Sequence, residues 1–238
     1  MAAADPFAGQ TGLAARAAVL EAPETDPAPV LAQLDRLFAS GAPSAWEIRH
    51  ADDGGLAAVR MAATLDSRSG GDLILGLLWL EGLRRAGLRP DALAYPARLL
   101  LRLNTPNRTI IDPCRNGQVV EPPELRTLLH ASGTAAGLHP DFFAPLSDEA
   151  LLLRLLAAVK LRSLRLGQIG PALVAVEGSL RIAPDRAKLW REAGLMRMRL
   201  GDLPGAVAAL EQFVARTDNQ PARSRASQLL AQIRVRMP

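Results

Sequence analysis

Apolar positions follow one rhythm in the first part of the chain, another in the middle and a third at the end. Residues 11–21 and 27–40 place apolar side chains at helical spacing, as in Val30, Leu31, Leu34, Leu37 and Phe38, with Asp26 as a cap before Pro27. A further helix is expected from about Ser44 to Ala63, softened at Asp53-Gly54-Gly55. Next comes GGDLILGLLWLEGLRRAGL, which predicts a helix opening at Asp72 and ending at Gly87. The β-type stretches Ala92–Leu103 and Arg108–Asp112 follow, separated by the turn signal Thr105-Pro106-Asn107. Pro122 to Ala131 predicts another short helix, and Gly133 to Pro145 a loop rich in turn residues.

From Ser147 the chain repeats itself. Leu166-Gly167-Gln168 recurs as Leu200-Gly201-Asp202, an offset of 34 residues, and Ala172 recurs as Ala206 at the same offset. That is the period of the tetratricopeptide repeat, a pair of antiparallel helices. Trp190, Gly194, Ala206 and Leu210 stand where the second copy wants Trp, Gly, Ala and a large apolar residue, and Pro184 marks the turn between copies. Residues 221–236 predict a last helix that caps the array, with Leu229, Leu230 and Ile233 on one face. The expected division is therefore residues 1–146 and residues 147–238, the second holding two repeats and the capping helix.

The middle segment resembles the core of the transglutaminase-like superfamily, in the bacterial branch that joins such a core to tetratricopeptide repeats, the SirB-like invasion-regulator family. Leu75, Leu78, Trp79, Leu80, Arg84-Arg85, Gly87 and Leu88 fall where that family has its Leu, its Leu-Tyr-Leu, its basic pair and its Gly-Leu stop. Pro96, Arg102, Ile111, Asp112, Pro113 and Gly117 continue the series. The resemblance implies an α+β fold, mostly α: a transglutaminase-like (papain-like) core with a small antiparallel sheet, followed by a helical hairpin array. Active members take a Cys from the helix start, a His from the first strand and an Asp from the second. Here those positions hold Asp72, Arg98 and Asp112. The chain also departs in Ala97 and in a shortened segment from Asp52 to Ser69. Cysteine chemistry needs a thiolate beside a base, and neither group stands where the fold would use it. The expectation is a pseudoenzyme with no cofactor. Two roles for the replaced positions stay open: an Asp72–Arg98–Asp112 ion network, or a pocket in which Arg98 holds an anion.

Composition narrows the setting. Hydrophobic residues form 49% of the 238-residue chain, yet no apolar run approaches the roughly 18 residues of a membrane span. MAAADPFAGQ has neither the basic start nor the apolar block of a signal peptide, and a single cysteine excludes an internal disulfide framework. A cytoplasmic protein is expected. Cys114, the lone thiol, reads as a small buried apolar residue; as a nucleophile it would lie on the wrong strand. His50, His130 and His139 have no ligand spacing, so no metal site is expected.

The net charge of +4 hides a division. Residues 1–150 carry 13 basic and 18 acidic groups; residues 151–238 carry 15 basic and 6 acidic, a balance of +9 that suggests an acidic partner. On the first helix of each repeat, Arg154, Leu161 and Arg165 share one face, and Lys188, Arg191, Leu195 and Arg199 share the equivalent face one repeat later. These seven are the candidate peptide groove, against the alternative of ordinary solvated helix faces. Three functions are in play: a non-catalytic module binding an acidic protein segment, a weak hydrolase or acyl-transfer enzyme, and a nucleic-acid binder using the Arg-rich tail. The last ranks low, because the tail offers only Trp190 and Phe213 for stacking, and Trp190 serves the repeat core.

Overall fold

The computed structural model describes residues 69–236, apart from 86, 87, 97, 106, 107, 116, 135 and 136, together with 47, 48 and 59. The helices expected over 11–21 and 27–40 lie outside the described residues. The chain divides into two compact units, Met1–Ser147 and Asp148–Pro238.

In the first unit, β1 (Glu47–Ile48) pairs in parallel with β2 (Ser69–Gly70). This corrects the expectation of helix across Ser44–Ala63 at those two residues: their backbone pairs with a strand about twenty residues on, which no local periodicity reveals. Helix α1 (Asp72–Arg85) follows. Its inward face carries Ile74, Leu75, Leu78, Trp79 and Leu83, all buried. Gly76 lets the sheet approach, since a Cβ there would lie 2.7 Å from the Leu99 side chain.

The single strand expected over Ala92–Leu103 is instead a hairpin. β3 (Asp91–Ala92) and β4 (Leu101–Arg102) run antiparallel, and Leu93 N–H donates to the Leu100 carbonyl at 2.9 Å. Pro96 supplies the reason, because it has no N–H for a ladder and sits midway along the segment. β5 (Ile110–Asp112) and β6 (Gln118–Val119) complete a four-stranded antiparallel sheet in the order β3-β4-β5-β6. The β5–β6 connection holds a 3-10 turn, Pro113–Arg115, and Gly117 at φ +73°, where any side chain would also strike the Trp79 ring.

Helix α2 (Pro122–Ala131) opens with a reciprocal capping box between Glu121 and Glu124. Its Leu125 and Leu129 close a core with Leu93, Tyr95, Leu100 and Val120, flanked by Phe142 and Phe143. Buried Tyr95 donates its hydroxyl to the Leu125 carbonyl, so its one polar atom is satisfied. The stretch read as loop, Gly133–Pro145, contains a 3-10 turn at Pro140–Phe143 and then covers the edge of β3: Ala94 N–H donates to Ala144 O at 2.9 Å and Leu146 N–H to Ala92 O at 2.7 Å.

The second unit is five helices: α3 (Asp148–Arg165), α4 (Ile169–Ile182), α5 (Ala187–Arg199), α6 (Leu203–Arg216) and α7 (Gln220–Arg236). Consecutive helices pack on one another. Gly167 and Gly201, one repeat apart, both take positive φ and end α3 and α5, the conformation that glycine adopts without steric cost. Ala172, Val176, Leu180, Ala193, Met196 and Ala209 form the shared core. Small residues set the spacing at the second hairpin: a Cβ at Gly194 would sit 2.7 Å from Leu210 Cγ and 3.3 Å from the Ala206 carbonyl oxygen. Trp190 is held at the repeat boundary by its indole N–H, which donates to Pro184 O at 2.6 Å.

Replacing Gly194 by Ala should therefore force α5 and α6 apart despite alanine's better helix propensity. The expected loss is about 1–3 kcal/mol of stability, read from urea unfolding followed by circular dichroism. Unchanged or increased stability would show that the α5–α6 approach is looser than described.

Candidate functional site

The positions at which the superfamily resemblance would put a catalytic triad fall close together in the first unit. Asp72 stands in the first turn of α1, and the Gly71 carbonyl accepts from Leu75 N–H at 3.0 Å, which makes Gly71 the cap. Asp72 thus complements the helix dipole without being the capping residue. Arg98 lies in the β3–β4 connection, not on a strand, as the Pro96 bend requires. Asp112 ends β5 with no exposed surface.

Arg98 Nη1 donates to Asp112 Oδ2 at 3.0 Å, and the other carboxylate oxygen, Oδ1, accepts from Cys114 N–H at 2.9 Å. Among the described residues no ion pair joins Asp72 to Arg98, so the three-membered network reduces to the Arg98–Asp112 pair. Burial pushes the Asp112 carboxyl above its ordinary value, while the Arg98 charge and the Cys114 N–H pull in the opposite direction. The Arg98 side chain is 28% exposed, so one side of the guanidinium faces water.

The position of Cys114 could not be read from local sequence. The 3-10 turn after β5 carries its half-buried thiol to the start of α1, 3.9 Å from the Asp72 carbonyl oxygen. The sulfur therefore sits beside the region where the superfamily places its nucleophile, although it comes from another element. Burial, and then the negative charges of Asp112 and Asp72, push this thiol up to about 12, with Arg98 opposing. At that value it is a protonated thiol at neutral pH, and a thiol is a poor nucleophile. No histidine contacts it among the described residues: the neighbouring Arg98 donates to Asp112, and His139 accepts from Asp141 N–H in its own loop. Among the described residues no three His, Cys, Asp or Glu side chains gather to hold a metal ion.

In the second unit, Lys188, Arg191, Leu195 and Arg199 share one face of α5, with Lys188, Arg191 and Arg199 exposed. On α3, Arg165 is exposed, Leu161 is 54% exposed and Arg154 is half-buried and engaged in further interactions. Lys160 and Glu192 form a 2.8 Å ion pair between α3 and α5. Arg165, Lys188, Arg191 and Arg199 have no acidic partner among the described residues. The opposite side of α5 differs: Arg197 is paired with both Glu177 and Asp202, and Arg216 lies 5.3 Å over the Trp190 ring. A cavity of about 480 Å³ on that side is lined by Arg197, which is neutralised internally, and by exposed Arg181.

Arg191 and Leu195 are brought into a second cavity, of about 310 Å³, together with residues of α6 and α7 that the sequence reading had not selected. Chief among these is Arg225. The signal was present: Arg225 and Leu229 follow Arg191 and Leu195 by 34 residues each, so α7 repeats the Arg-x-x-x-Leu face of α5. Helix α7 thus lines this cavity as well as packing on the end of the array.

The profile of the transglutaminase-like superfamily matches residues 13–157, and that of the tetratricopeptide repeat matches residues 159–234. The chain belongs to the transglutaminase-like superfamily, with a tetratricopeptide array after the core. It is also similar to the UPF0162 protein of Xylella fastidiosa (strain Temecula1 / ATCC 700964), at 24% identity over 156 residues, covering 63% of this chain. The chain spans about half the length of that curated relative (55%). No solved structure matches it. No helix among the described residues is long and apolar enough to cross a membrane.

Two outcomes test this geometry. Because the thiol is held near 12, iodoacetamide should label Cys114 far more slowly in the native protein at pH 8 than in urea, where the same residue is an ordinary cysteine. Equal rates would show an exposed, unperturbed thiol. Arg98→Ala should cost about 3 kcal/mol at neutral pH, the low end for breaking a buried pair because Arg98 is partly hydrated. Asp112 already has a raised folded value, so protonation favours the folded state. Removing Arg98 raises that value further, and the cost of the substitution should shrink as pH falls through it. A cost independent of pH from 7 down to 4 would remove Asp112 as the cause.

Proposed function

We propose that this chain is a non-catalytic protein-interaction module, a pseudoenzyme within the SirB-like branch of the superfamily. Its repeat array binds an acidic segment of a protein partner in the cytoplasm. Tetratricopeptide arrays support protein–protein interaction in general, because a stacked pair of hairpins offers a long shallow face rather than an enclosed pocket. The observation that carries the specific reading is the run of cations without acidic partners among the described residues on the α3–α5 face, at positions that recur with the repeat.

The charge arrangement favours carboxylates. Arg grips a carboxylate through two parallel hydrogen bonds, and Leu161 and Leu195 provide apolar surface between the charged positions. The pseudoenzyme part of the reading is supported by chemistry in the first unit. Asp72 takes the nucleophile position, Arg98 takes the base position and spends its charge on Asp112, and Cys114 is held as a neutral thiol. A carboxylate nucleophile at Asp72 would still lack a matched acid or base. A lone, unpaired cysteine fits a reducing compartment.

Reversing both Arg191 and Arg199 to Glu should leave helical content unchanged and weaken binding to an acidic peptide by at least about tenfold, since each reversal replaces an attraction by a repulsion. Wild-type binding should fall steeply between 50 and 300 mM salt, as exposed pairs are screened over about 8–10 Å. If the double variant keeps wild-type affinity across an acidic peptide set, the groove reading fails.

A further inference from the structure

We infer that the open recess between α5, α6 and α7 is an anchor pocket for one aliphatic side chain of the acidic partner, with carboxylates on either side of that residue held by Arg191 and Arg225. This rests on the groove reading above and adds what the partner must carry.

The floor and walls are apolar: Leu195 from α5, Leu210 from α6, and Ala222, Ala226 and Leu229 from α7. Leu210 is fully buried and packs with Leu230 and Ile233, so the floor is fixed by the core. The small side chains of Ala222 and Ala226 help leave about 310 Å³, at the bottom of the range for small-molecule sites and ample for a branched aliphatic side chain. The rim is polar. Arg191 and Arg225 are exposed, stand one repeat apart and have no acidic partner among the described residues. Asn219 completes it. Its Oδ1 accepts from Ala222 N–H at 2.9 Å to cap α7, which assigns the amide orientation and leaves Nδ2 to donate to a peptide carbonyl.

Each feature alone is ordinary. Together they place an apolar recess between two cations at positions that the 34-residue repeat makes equivalent, with a backbone-reading amide beside them. A purely acidic segment would leave the recess filled with water. A purely apolar one would leave both guanidinium groups unused. The chemistry that uses the whole site is an acidic–aliphatic–acidic sequence.

Two fluorescein-labelled peptides test this with the full chain: Gly-Asp-Glu-Leu-Asp-Glu, and the same peptide with Gly in place of Leu. Fluorescence anisotropy at 50 mM salt should show the Leu peptide binding about tenfold more tightly, the value expected for burying one aliphatic side chain. Ala226→Leu, which fills the recess, should erase that difference while leaving the Gly peptide's affinity unchanged. Arg225→Glu should weaken both peptides, and unchanged affinities would overturn its carboxylate role. Equal wild-type affinity for the two peptides would overturn the pocket and leave the charged groove intact. Binding of neither would overturn the groove, and the pocket with it. The wild-type comparison stands even if a variant fails to fold.

Discussion

Asp112 is a carboxylate without exposed surface, and the local structure of the first unit follows from the need to satisfy it. One oxygen takes the Arg98 guanidinium, which draws the β3–β4 connection over the end of β5. The other takes Cys114 N–H, which tightens the turn after β5 and delivers the thiol to the start of α1. Remove the charge and neither the Arg98 loop nor the 3-10 turn has a reason to adopt its position. The same carboxylate also helps suppress the one nucleophile nearby, since its charge adds to burial in keeping the Cys114 thiol protonated.

That arrangement has a chemical consequence. A cysteine enzyme lowers a thiol's pKa with a base and a helix N-terminus. Here the sulfur does come near a helix start, but the charges of Asp112 and Asp72 act on it and the opposing cation, Arg98, is paired with Asp112. The electrostatic field therefore acts against thiolate formation. The Arg98–Asp112 ion pair ties the β3–β4 connection to the end of β5.

In the second unit the constraint is steric instead. Gly194 and Ala206 allow α5 and α6 to approach, and this fixes which side of α5 is buried against the hairpin. Its other side must then carry Lys188, Arg191, Leu195 and Arg199 outward. The packing rule that forms the repeat thereby also displays the cations, and α7 extends the display because it keeps the same 34-residue register through Arg225 and Leu229.

The helix opening at Asp72, the short helix at Pro122–Ala131 and the 34-residue repeat of helices were legible in the sequence, because they depend on local periodicity and on residues within one or two turns. The glycines at 167 and 201 also announced themselves, as they end helices through their own backbone freedom. What tertiary structure alone decided involves partners far apart in the chain. Ala92–Leu103 looked like one strand; Pro96 marks the break within it, but the register of the resulting hairpin also depends on β5 and on the edge cover supplied by residues 144–146. The Arg98–Asp112 pair forms without Asp72 because the Pro96 bend sets where Arg98 can reach. The position of Cys114 against Asp72 spans 42 residues, and nothing within either segment encodes it. The α5–α6–α7 pocket is likewise a property of three helices at once: periodicity can nominate a face, but only packing determines whether a recess lies between two of them.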